Sequence, residues 1–278
     1  MRQTWFHRRS GEGMFLGGLF LLGLASVLMI TEDAAAQSAP APEKQGTQTA
    51  NPWLDGEWQL GAVGTWSSDP YKGSNEDDIN PWPMISFDSE RLHVGLDGIS
   101  AALWKNEFAS VAVIGALRME PFESGDSPYL SGLYGRDMAW EAGFAGDMRV
   151  WRGTLGLRYL TDVNDAHDGH EIDMTYELPM EAGPFQFGLG GGVMWRSDNL
   201  NDYYVGVRSS EARGDRPAYA PDGAFIPHVD LTVSYPFTQN IIATVKGGVE
   251  LLPDTYTDSP IIDDDVIYSA MVGLIYRF

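Results

Sequence analysis

"VIYSAMVGLIYRF", residues 266–278, closes the sequence and alternates strictly in side-chain character. One face of this stretch is apolar and aromatic, and it carries Tyr268, Ala270, Val272, Leu274, Tyr276 and Phe278. The other face carries Ser269, Met271, Gly273 and Arg277. Successive side chains of a strand point to opposite faces, so the alternation predicts a β-strand with one apolar face.

The same period of two recurs along the chain. "EWQLGAVGTW" (57–66), "PFQFGLGGGVMWR" (184–196) and "FIPHVDLTVSYPF" (225–237) each place apolar or aromatic residues at alternate positions. Repeated stretches of this kind indicate an all-β fold. The predicted strands are 57–66, 82–88, 90–97, 99–104, 108–119, 137–149, 151–162, 170–180, 184–196, 224–236, 240–252 and 266–278.

The apolar faces could be buried in a water-soluble sandwich or turned towards lipid in a membrane barrel. Aromatic residues at the strand ends favour lipid, because they would form two interfacial girdles. Charged and polar residues in mid-strand favour it too, since the opposite face would line the lumen. The predicted lumen charge network comprises Glu141, Asp147, Arg149, Arg158, Asp173, Glu177, His228, Asp230, Lys246 and Glu250.

The connections between strands alternate in length. Short joints, such as those at 88–90 and 237–239, alternate with long ones, such as 120–136 and 197–223. Short turns at one rim and long loops at the other are typical of a bacterial outer-membrane barrel. The sequence therefore predicts a single antiparallel transmembrane β-barrel over residues 56–278, with about twelve strands. Ten strands is the alternative, reached by merging 90–97 with 99–104.

The N-terminal region predicts export. Three arginines precede the uncharged stretch 14–30, and Ala34 and Ala36 form an A-x-A cleavage signal. These features predict a secretory signal peptide over residues 1–36, with a retained transmembrane anchor as the alternative. Residues 37–55 are rich in Pro, Ala and polar side chains, which predicts a flexible periplasmic segment.

Composition narrows the class of partner. The 278 residues include 39 acidic and 18 basic side chains, for a formal net charge of −21. Such a charge disfavours nucleic acid as a partner and suits divalent cations or basic partners. The chain has no cysteine, so an exported fold of this sequence needs a stabilising device other than disulfides, and closure of a sheet on itself supplies one.

Four short segments together resemble the MipA/OmpV family of outer-membrane proteins. They are "DPYKGS" (69–74), "PWPMISF" (81–87), "YYVGVRSSEA" (203–212) and the closing "GLIYRF" (273–278). The resemblance covers roughly Trp58 to Phe278 and implies an outer-membrane barrel in a Gram-negative cell. It also implies a non-enzymatic scaffold that links a murein hydrolase to a murein synthase, or alternatively a porin-like, osmotic-response or adhesin-like barrel.

Two motifs suggest a bound ion or cofactor. "DVNDAHDGHEID" (162–173) could hold a metal through His167 and His170, but Ala166 stands where a calcium loop needs an oxygen ligand. We interpret it as a solvated acidic loop, with weak binding of divalent cations bridging to lipopolysaccharide as the alternative. "GLGGGV" (188–193) lacks the third glycine of a phosphate loop and lies within a strand. We therefore predict no metal and no cofactor.

His228 and Asp230 share one inward face and raise the possibility of a hydrolase. A general base needs a nucleophile or a poised water beside it, and the sequence places none there. We interpret the pair as part of the lumen charge network and predict that the protein is not an enzyme.

The longest loop, "NDYYVGVRSSEARGDRPAYAPDGA" (201–224), is rich in tyrosine and arginine, as binding surfaces are. We expect it to fold into the lumen or cap it, with a mobile surface loop as the alternative. Its "RGD" tripeptide is too common a sequence to indicate an integrin ligand. The candidate plug or interaction residues are Tyr203, Tyr204, Arg208, Glu211 and Tyr219.

The closing strand also predicts partners in assembly. Tyr276 and Phe278 resemble the terminal aromatic signal that the barrel-insertion machinery reads. A lipid-facing barrel in this location would contact outer-membrane lipid and lipopolysaccharide, and a scaffold would contact a periplasmic murein hydrolase or synthase.

Overall fold

The computed structural model describes residues 51–74, 79–119 and 121–278. The predicted signal peptide and most of the predicted N-terminal segment, residues 37–50, lie outside the described residues. No helix in the described part of the chain is both long and apolar enough to cross a membrane.

Twelve antiparallel strands in the described residues form one closed barrel, as predicted, and the ten-strand alternative is wrong. Residues 90–97 and 99–104 stay separate because the chain reverses at Leu96 and Asp97. The strands are β1 (Gly56–Ser67), β2 (Asn80–Ser89), β3 (Leu92–Gly95), β4 (Gly98–Lys105), β5 (Ala109–Arg118), β6 (Ala139–Val150), β7 (Gly153–Asp162), β8 (His170–Ala182), β9 (Phe185–Arg196), β10 (Ala224–Pro236), β11 (Ile241–Leu251) and β12 (Val266–Arg277).

Every strand pairs with its neighbours in the chain, and β1 closes the ring against β12. The closing register runs from Gln59 opposite Arg277 to Ser67 opposite Ser269. Phe278 extends this seam, because its backbone N–H donates to the carbonyl of Trp58 at 3.0 Å. The C-terminal strand is thus an ordinary member of the ring rather than an exposed edge.

The two rims differ as the sequence predicts. One rim, the short-turn rim, has connections of a few residues, including the turn at Trp151 and Arg152, where Val150 was predicted to form the joint. Trp151 adopts a positive φ of 55° there. The other rim, the long-loop rim, carries the segments 68–79, 119–138, 163–169, 197–223 and 252–265. Among the strand connections that the described residues define at this end, only the β3–β4 connection is short.

The alternation of side chains is retained in three dimensions. On β12, Tyr268, Val272 and Leu274 face outwards and are exposed, whereas Met271 and Ile275 face the lumen and are buried. Large apolar side chains are exposed over the whole outer surface of the barrel. A continuous surface of this kind is stable against lipid tails and unstable against water.

The long loops contain two short helices and the main hydrophobic core. Helix α1 (Asp198–Val205) begins at Ser197, whose hydroxyl accepts from the N–H of Leu200, and helix α2 is Asp254–Thr257. The largest cluster of buried apolar side chains, called the loop core below, is formed mainly by these loops. Its buried members are Tyr71, Phe122, Leu130, Leu133, Met194, Leu200, Tyr203, Tyr204, Val205, Val207, Ala224, Ile226, Leu252, Tyr256, Ile261, Ile262 and Ile267.

Candidate functional site

The loop core joins four long loops into a cap at one end of the barrel. The hydroxyl of Tyr71 donates to the carbonyl of Tyr204 at 3.0 Å, which ties segment 68–79 to helix α1. The hydroxyl of Tyr219 donates to the carbonyl of Thr255 at 2.9 Å, which ties segment 197–223 to helix α2. Apolar burial and these hydrogen bonds together fix the loops relative to one another.

Buried arginines connect the cap to segment 119–138. Arg136 donates to the carbonyls of Tyr203 and Gly206, both at 3.1 Å. Arg216 donates to the carbonyl of Ser131 at 3.1 Å and, on the other side, to the carbonyl of Glu211 at 2.9 Å. Each guanidinium therefore satisfies loop carbonyls that would otherwise be buried without a partner.

The carboxylate of Glu211 organises the same junction. Its two oxygens accept from the backbone N–H groups of Tyr134 at 2.8 Å and Arg208 at 2.7 Å. Arg136 Nη1 lies 3.5 Å from Oε1 of this carboxylate. Burial alone would raise the pKa of Glu211, but the two N–H donors and the nearby arginines outweigh it, so the pKa lies below its ordinary value.

Of the five predicted loop residues, the structure buries three and leaves two accessible. Tyr203, Tyr204 and Glu211 are buried within the cap. Arg208 is exposed and Tyr219 is half-buried. The arrangement is that of a folded loop lying across the end of the lumen.

Directly beneath the cap lies a buried set of charges, called the upper charge layer and formed by Arg118, Glu141, Glu171 and Arg196. Arg118 donates to Glu141 at 2.9 Å and to Glu171 at 3.2 Å. Arg196 donates to the same oxygen of Glu171 at 3.0 Å. All four side chains are 0–1 % exposed. Burial of this extent requires that each charge is paired, because an isolated one would carry a large desolvation penalty.

Tyrosines of the cap contact this layer from above. Arg118 Nη1 donates to the hydroxyl of Tyr204 at 2.8 Å, and the guanidinium of Arg196 stacks 4.6 Å from the centroid of the same ring. Arg196 Nη1 also donates to the hydroxyl of Tyr256 at 3.0 Å, which in turn donates to Asn201. Burial raises the pKa of Tyr256 to about 12, so the phenol is neutral over the ordinary pH range.

A second group of charges lies nearer the short-turn rim. Asp173 accepts from Arg158 at 3.4 Å and lies 3.0 Å from Nε2 of His228. Lys246 Nζ lies 3.5 Å from Asp230. The structure therefore brings His228 to Asp173 and Asp230 to Lys246, and it does not bring the predicted hydrolase pair into contact with each other.

The remaining predicted lumen residues occupy the same inward faces. Glu141 belongs to the upper charge layer, and Glu177 and Glu250 face the charges beneath it. Asp147 accepts from the hydroxyl of Ser110 at 3.2 Å. Arg149 lies at the exposed end of β6, next to the short-turn rim.

The glycines of "GLGGGV" make room for cross-strand side chains. Gly190 lies opposite Asp230 and Gly192 lies opposite His228. A Cβ at Gly190 would come within 2.6 Å of the Asp230 carboxylate, and one at Gly192 within 2.8 Å of His228 Nε2. A side chain at either position would displace the charged residue opposite it.

The acidic loop 163–169 is ordered by its own hydrogen bonds. The carboxylate of Asp162 accepts from the N–H groups of Asn164 at 2.9 Å and His167 at 2.6 Å. His167 Nε2 points to Glu141 at 3.3 Å, whereas the ring of His170 packs 5.3 Å from that of Trp195. Within the described residues, no group of three or more histidine, aspartate or glutamate side chains is placed to hold a metal ion.

Of the four residues in the upper charge layer, sequence reasoning selected only Glu141. Arg118, Glu171 and Arg196 were absent from the predicted lumen charge network. The arginines that fix the cap, Arg136 and Arg216, were not singled out either. Strand alternation places Glu171 and Arg196 on inward faces, and that parity is the signal that could have identified them.

A closed barrel with a lipid-compatible outer surface and a charged interior defines a transmembrane β-barrel of the bacterial outer membrane. The profile of the family described as "MltA-interacting protein MipA" matches residues 60–278. The chain belongs to this family.

Named relatives agree with this assignment. The chain is 29% identical to the "Putative outer membrane protein YiaT" of Escherichia coli K12 over 80% of this chain and 91% of the relative. It is 27% identical to the "MltA-interacting protein" of the same strain, over 81% of this chain and 91% of the relative. It is 19% identical to the "Outer membrane protein OmpV" of Vibrio cholerae, over 81% and 88% of the two chains. The protein is thus an outer-membrane barrel, with its long-loop rim extracellular and its short-turn rim periplasmic.

Proposed function

We propose that the protein is a closed, non-enzymatic outer-membrane barrel that acts as a scaffold for periplasmic enzymes of murein synthesis and remodelling. The observation that carries the proposal is the cap. The loop core lies across the extracellular end of the lumen, and the upper charge layer lies beneath it with its side chains 0–1 % exposed. A barrel blocked in this way is suited to display a surface rather than to conduct solutes.

The periplasmic rim offers a surface for such a partner. Residues Asn51–Asp55 run beneath the β2–β3 turn, where Arg91 N–H donates to the carbonyl of Pro52 at 3.0 Å. The guanidinium of Arg91 stacks 5.8 Å from the ring of Trp53, while Leu54 is 68% exposed beside it. An anchored segment with an exposed apolar side chain provides a fixed contact point, and residues 37–50 would extend the contact.

One relative supplies the chemistry of the partner. It is named "MltA-interacting protein", and the partner we propose for this chain is a murein hydrolase or a murein synthase. His228 contacts Asp173, and no serine or threonine hydroxyl of the described residues hydrogen-bonds to it, which supports a structural rather than a catalytic role.

The test is retention of purified partners by the immobilised, full-length mature protein in detergent. We expect a purified lytic transglycosylase or bifunctional murein synthase to be retained by the native protein. Leu54→Ser, or deletion of 37–50, should reduce retention. The matched control is Val163→Ser, which alters an exposed residue of the extracellular loop 163–169 and should have no effect. Failure of the native protein to retain either enzyme contradicts the scaffold proposal.

Planar-bilayer conductance tests the closed lumen separately. The capped barrel should be electrically silent over the accessible voltage range. Steady ion conductance by the native protein would instead support the alternative, a porin-like channel.

A further inference from the structure

The barrel wall is incomplete beside β2. This strand pairs with β1 along its whole length, from Gly56 opposite Ser89 to Thr65 opposite Asn80. On its other side it pairs with β3 only through Phe87 and Asp88. Within the described residues, 81–86 therefore have no strand partner on that side, a length of about 20 Å at ~3.4 Å per residue.

The gap arises because the β3–β4 hairpin is short. β3 has four residues, and the chain turns back at Leu96 and Asp97. The last pair between β4 and β5 is Ile99 opposite Gly115, so 116–118 of β5 extend past the hairpin. The opening bounded by 81–86, the hairpin turn and 116–118 is called the wall window below. On the side of the long-loop rim, the window is bounded by two loops that are joined where the hydroxyl of Ser127 donates to the carbonyl of Lys72 at 2.8 Å.

The wall window lies at the depth of the lipid hydrocarbon. The register places 81–85 opposite 60–64 of β1, between the outward-facing rings of Trp58 and Trp66. Aromatic residues of this kind mark the two membrane interfaces. Ile85 beside the window is 57% exposed, and Ile99 on the opposite side is 54% exposed. The window therefore opens towards lipid tails rather than towards water.

The free edge of β2 has few hydrogen-bond donors. Just after β1, the N–H of Ser68 donates to the carbonyl of Tyr268 in β12, and at the other end of β1 the carbonyl of Trp58 accepts from Phe278. Even-numbered residues of β1 therefore bond towards β12, and odd-numbered ones bond towards β2. By the same parity, Pro81, Pro83 and Ile85 of β2 direct their backbone groups into the window. Both prolines lack an N–H, so only one of the three positions offers a donor.

This edge favours one kind of occupant. A buried N–H without a partner is costly in hydrocarbon, and proline at edge positions removes that cost. The same prolines disfavour a further strand, since strand addition depends on a continuous row of backbone donors and acceptors. An acyl chain fills the space without needing those missing donors.

The lumen side of the window beside β2 is partly apolar, although Asp97 of the hairpin turn and Arg118 of β5 lie at its borders. A cluster of buried side chains lines it, and Trp82 and Leu96 pack against that cluster. The buried members are Val63, Met84, Met271 and Ile275. Three buried polar atoms on this flank have no hydrogen-bond partner among the described residues, namely Trp82 Nε1, Ser86 Oγ and Gln59 Oε1. Ser86 and Gln59 are 1% and 3% exposed.

We propose that the wall window is a binding site for one acyl chain of an outer-membrane phospholipid. The chain lies along the free edge of β2 against Leu96, and a lipid ester oxygen accepts from Trp82 Nε1. Trp82 is nearer the extracellular rim than Met84 and Ser86 are, so the ester end of the chain lies towards that rim. The lipid replaces the missing strand without adding hydrogen bonds to the backbone.

Photolabelling of the native protein tests the site. The full mature chain is reconstituted into phosphatidylethanolamine vesicles that contain a phospholipid with a diazirine in its acyl chain, and labelled peptides are mapped by mass spectrometry. We expect label on Trp82, Met84 and Leu96, although the first two face inwards. Thr232 and Thr244, which face inwards on a fully paired part of the wall, should remain unlabelled.

Absence of label from Trp82, Met84 and Leu96, with labelling of outward positions such as Ile85, would overturn the proposal. A parallel sample receives a free diazirine fatty acid in unlabelled vesicles. Labelling of the window by the fatty acid alone would overturn the assignment to phospholipid. A matched pair of variants completes the test: Leu96→Gln should abolish labelling of Trp82, whereas Leu103→Gln, on the outer face of β4, should not. Unchanged labelling in Leu96→Gln contradicts the site.

Discussion

Arg118 on β5 and Glu141 on β6 form an ion pair of 2.9 Å from which solvent is wholly excluded, since both side chains are 0 % exposed. The pair lies under the cap and shares Arg118 with Glu171. Removing one partner of a buried pair leaves the other charge uncompensated. The stability of the extracellular half of the barrel thus depends on a small number of buried charges.

Arg118→Met should lower the free energy of unfolding by about 3–5 kcal/mol, because it leaves the buried carboxylate of Glu141 without its arginine partner and leaves Glu171 with one arginine fewer. Guanidinium-induced unfolding in detergent micelles measures the change. Arg152→Met is the matched control, since Arg152 is exposed and only stacks near Trp151. Its effect should stay within about 1 kcal/mol. Equal effects of the two substitutions would contradict the structural role of the upper charge layer.

Tyr256→Phe removes a hydroxyl that accepts from Arg196 and donates to Asn201. Both partners stay buried, so the loss should be about 1–3 kcal/mol. Tyr268→Phe, on the lipid-facing side of β12, should change stability by less than about 0.5 kcal/mol. The same unfolding measurement compares the two variants, and a larger effect of Tyr268→Phe would be inconsistent with the hydrogen bonds described.

The cap should loosen in acid through Glu211. The pKa of Glu211 is lower in the folded protein than in the unfolded chain. The stability that its carboxylate contributes is therefore complete above the unfolded pKa, about 4.3, and is lost as the pH falls through the folded pKa. Hydrogen-exchange protection of the Tyr134 and Arg208 amides should decline in that acidic range. In Glu211→Gln the protection should be lower and independent of pH there. Protection that is pH-independent in the native protein would refute this assignment.

Deletion of Phe278 should impair barrel assembly in cells, because it removes the N–H that bonds to Trp58 and the ring that packs 4.8 Å from Tyr276. Heat-modifiable mobility of membrane fractions on gels measures the folded fraction. Phe237→Ala alters an equally exposed aromatic residue at another periplasmic turn and should assemble normally. If the truncated chain assembles as efficiently as the control, the terminal phenylalanine is not part of the assembly signal.

Strand alternation was sufficient to predict the closed barrel, but not the place where pairing between its strands is incomplete. The period of two in 184–196 and 224–236 placed each side chain on its correct face, because both strands are fully paired and span the membrane. The same pattern indicated strands at 90–97 and 99–104 without indicating that β3 keeps four residues. Strand length there depends on where the hairpin turns, which alternation does not determine.

The cap could be predicted only in outline. Tyrosine and arginine in 201–224 suggested a folded loop, but the contacts of Arg136 with Tyr203 and Gly206 join segments far apart in sequence. The contacts within the upper charge layer could not be predicted for the same reason, because Arg118 and Glu171 belong to strands that are not neighbours in the barrel. Such contacts depend on curvature and stagger of the barrel, which a single sequence does not encode in any local pattern.

The seam between β1 and β12 has a kinetic consequence. The two strands that close the ring lie at opposite ends of the described chain, so the last pairing to become possible is also the one with the greatest sequence separation. Contacts of that kind are slow to form. Until β12 has been synthesised and has found β1, every partly formed sheet presents two unpaired edges that can recruit other chains. The nascent protein therefore depends on protection between export and closure, and the step that ends this dependence is the docking of Phe278 beside Trp58.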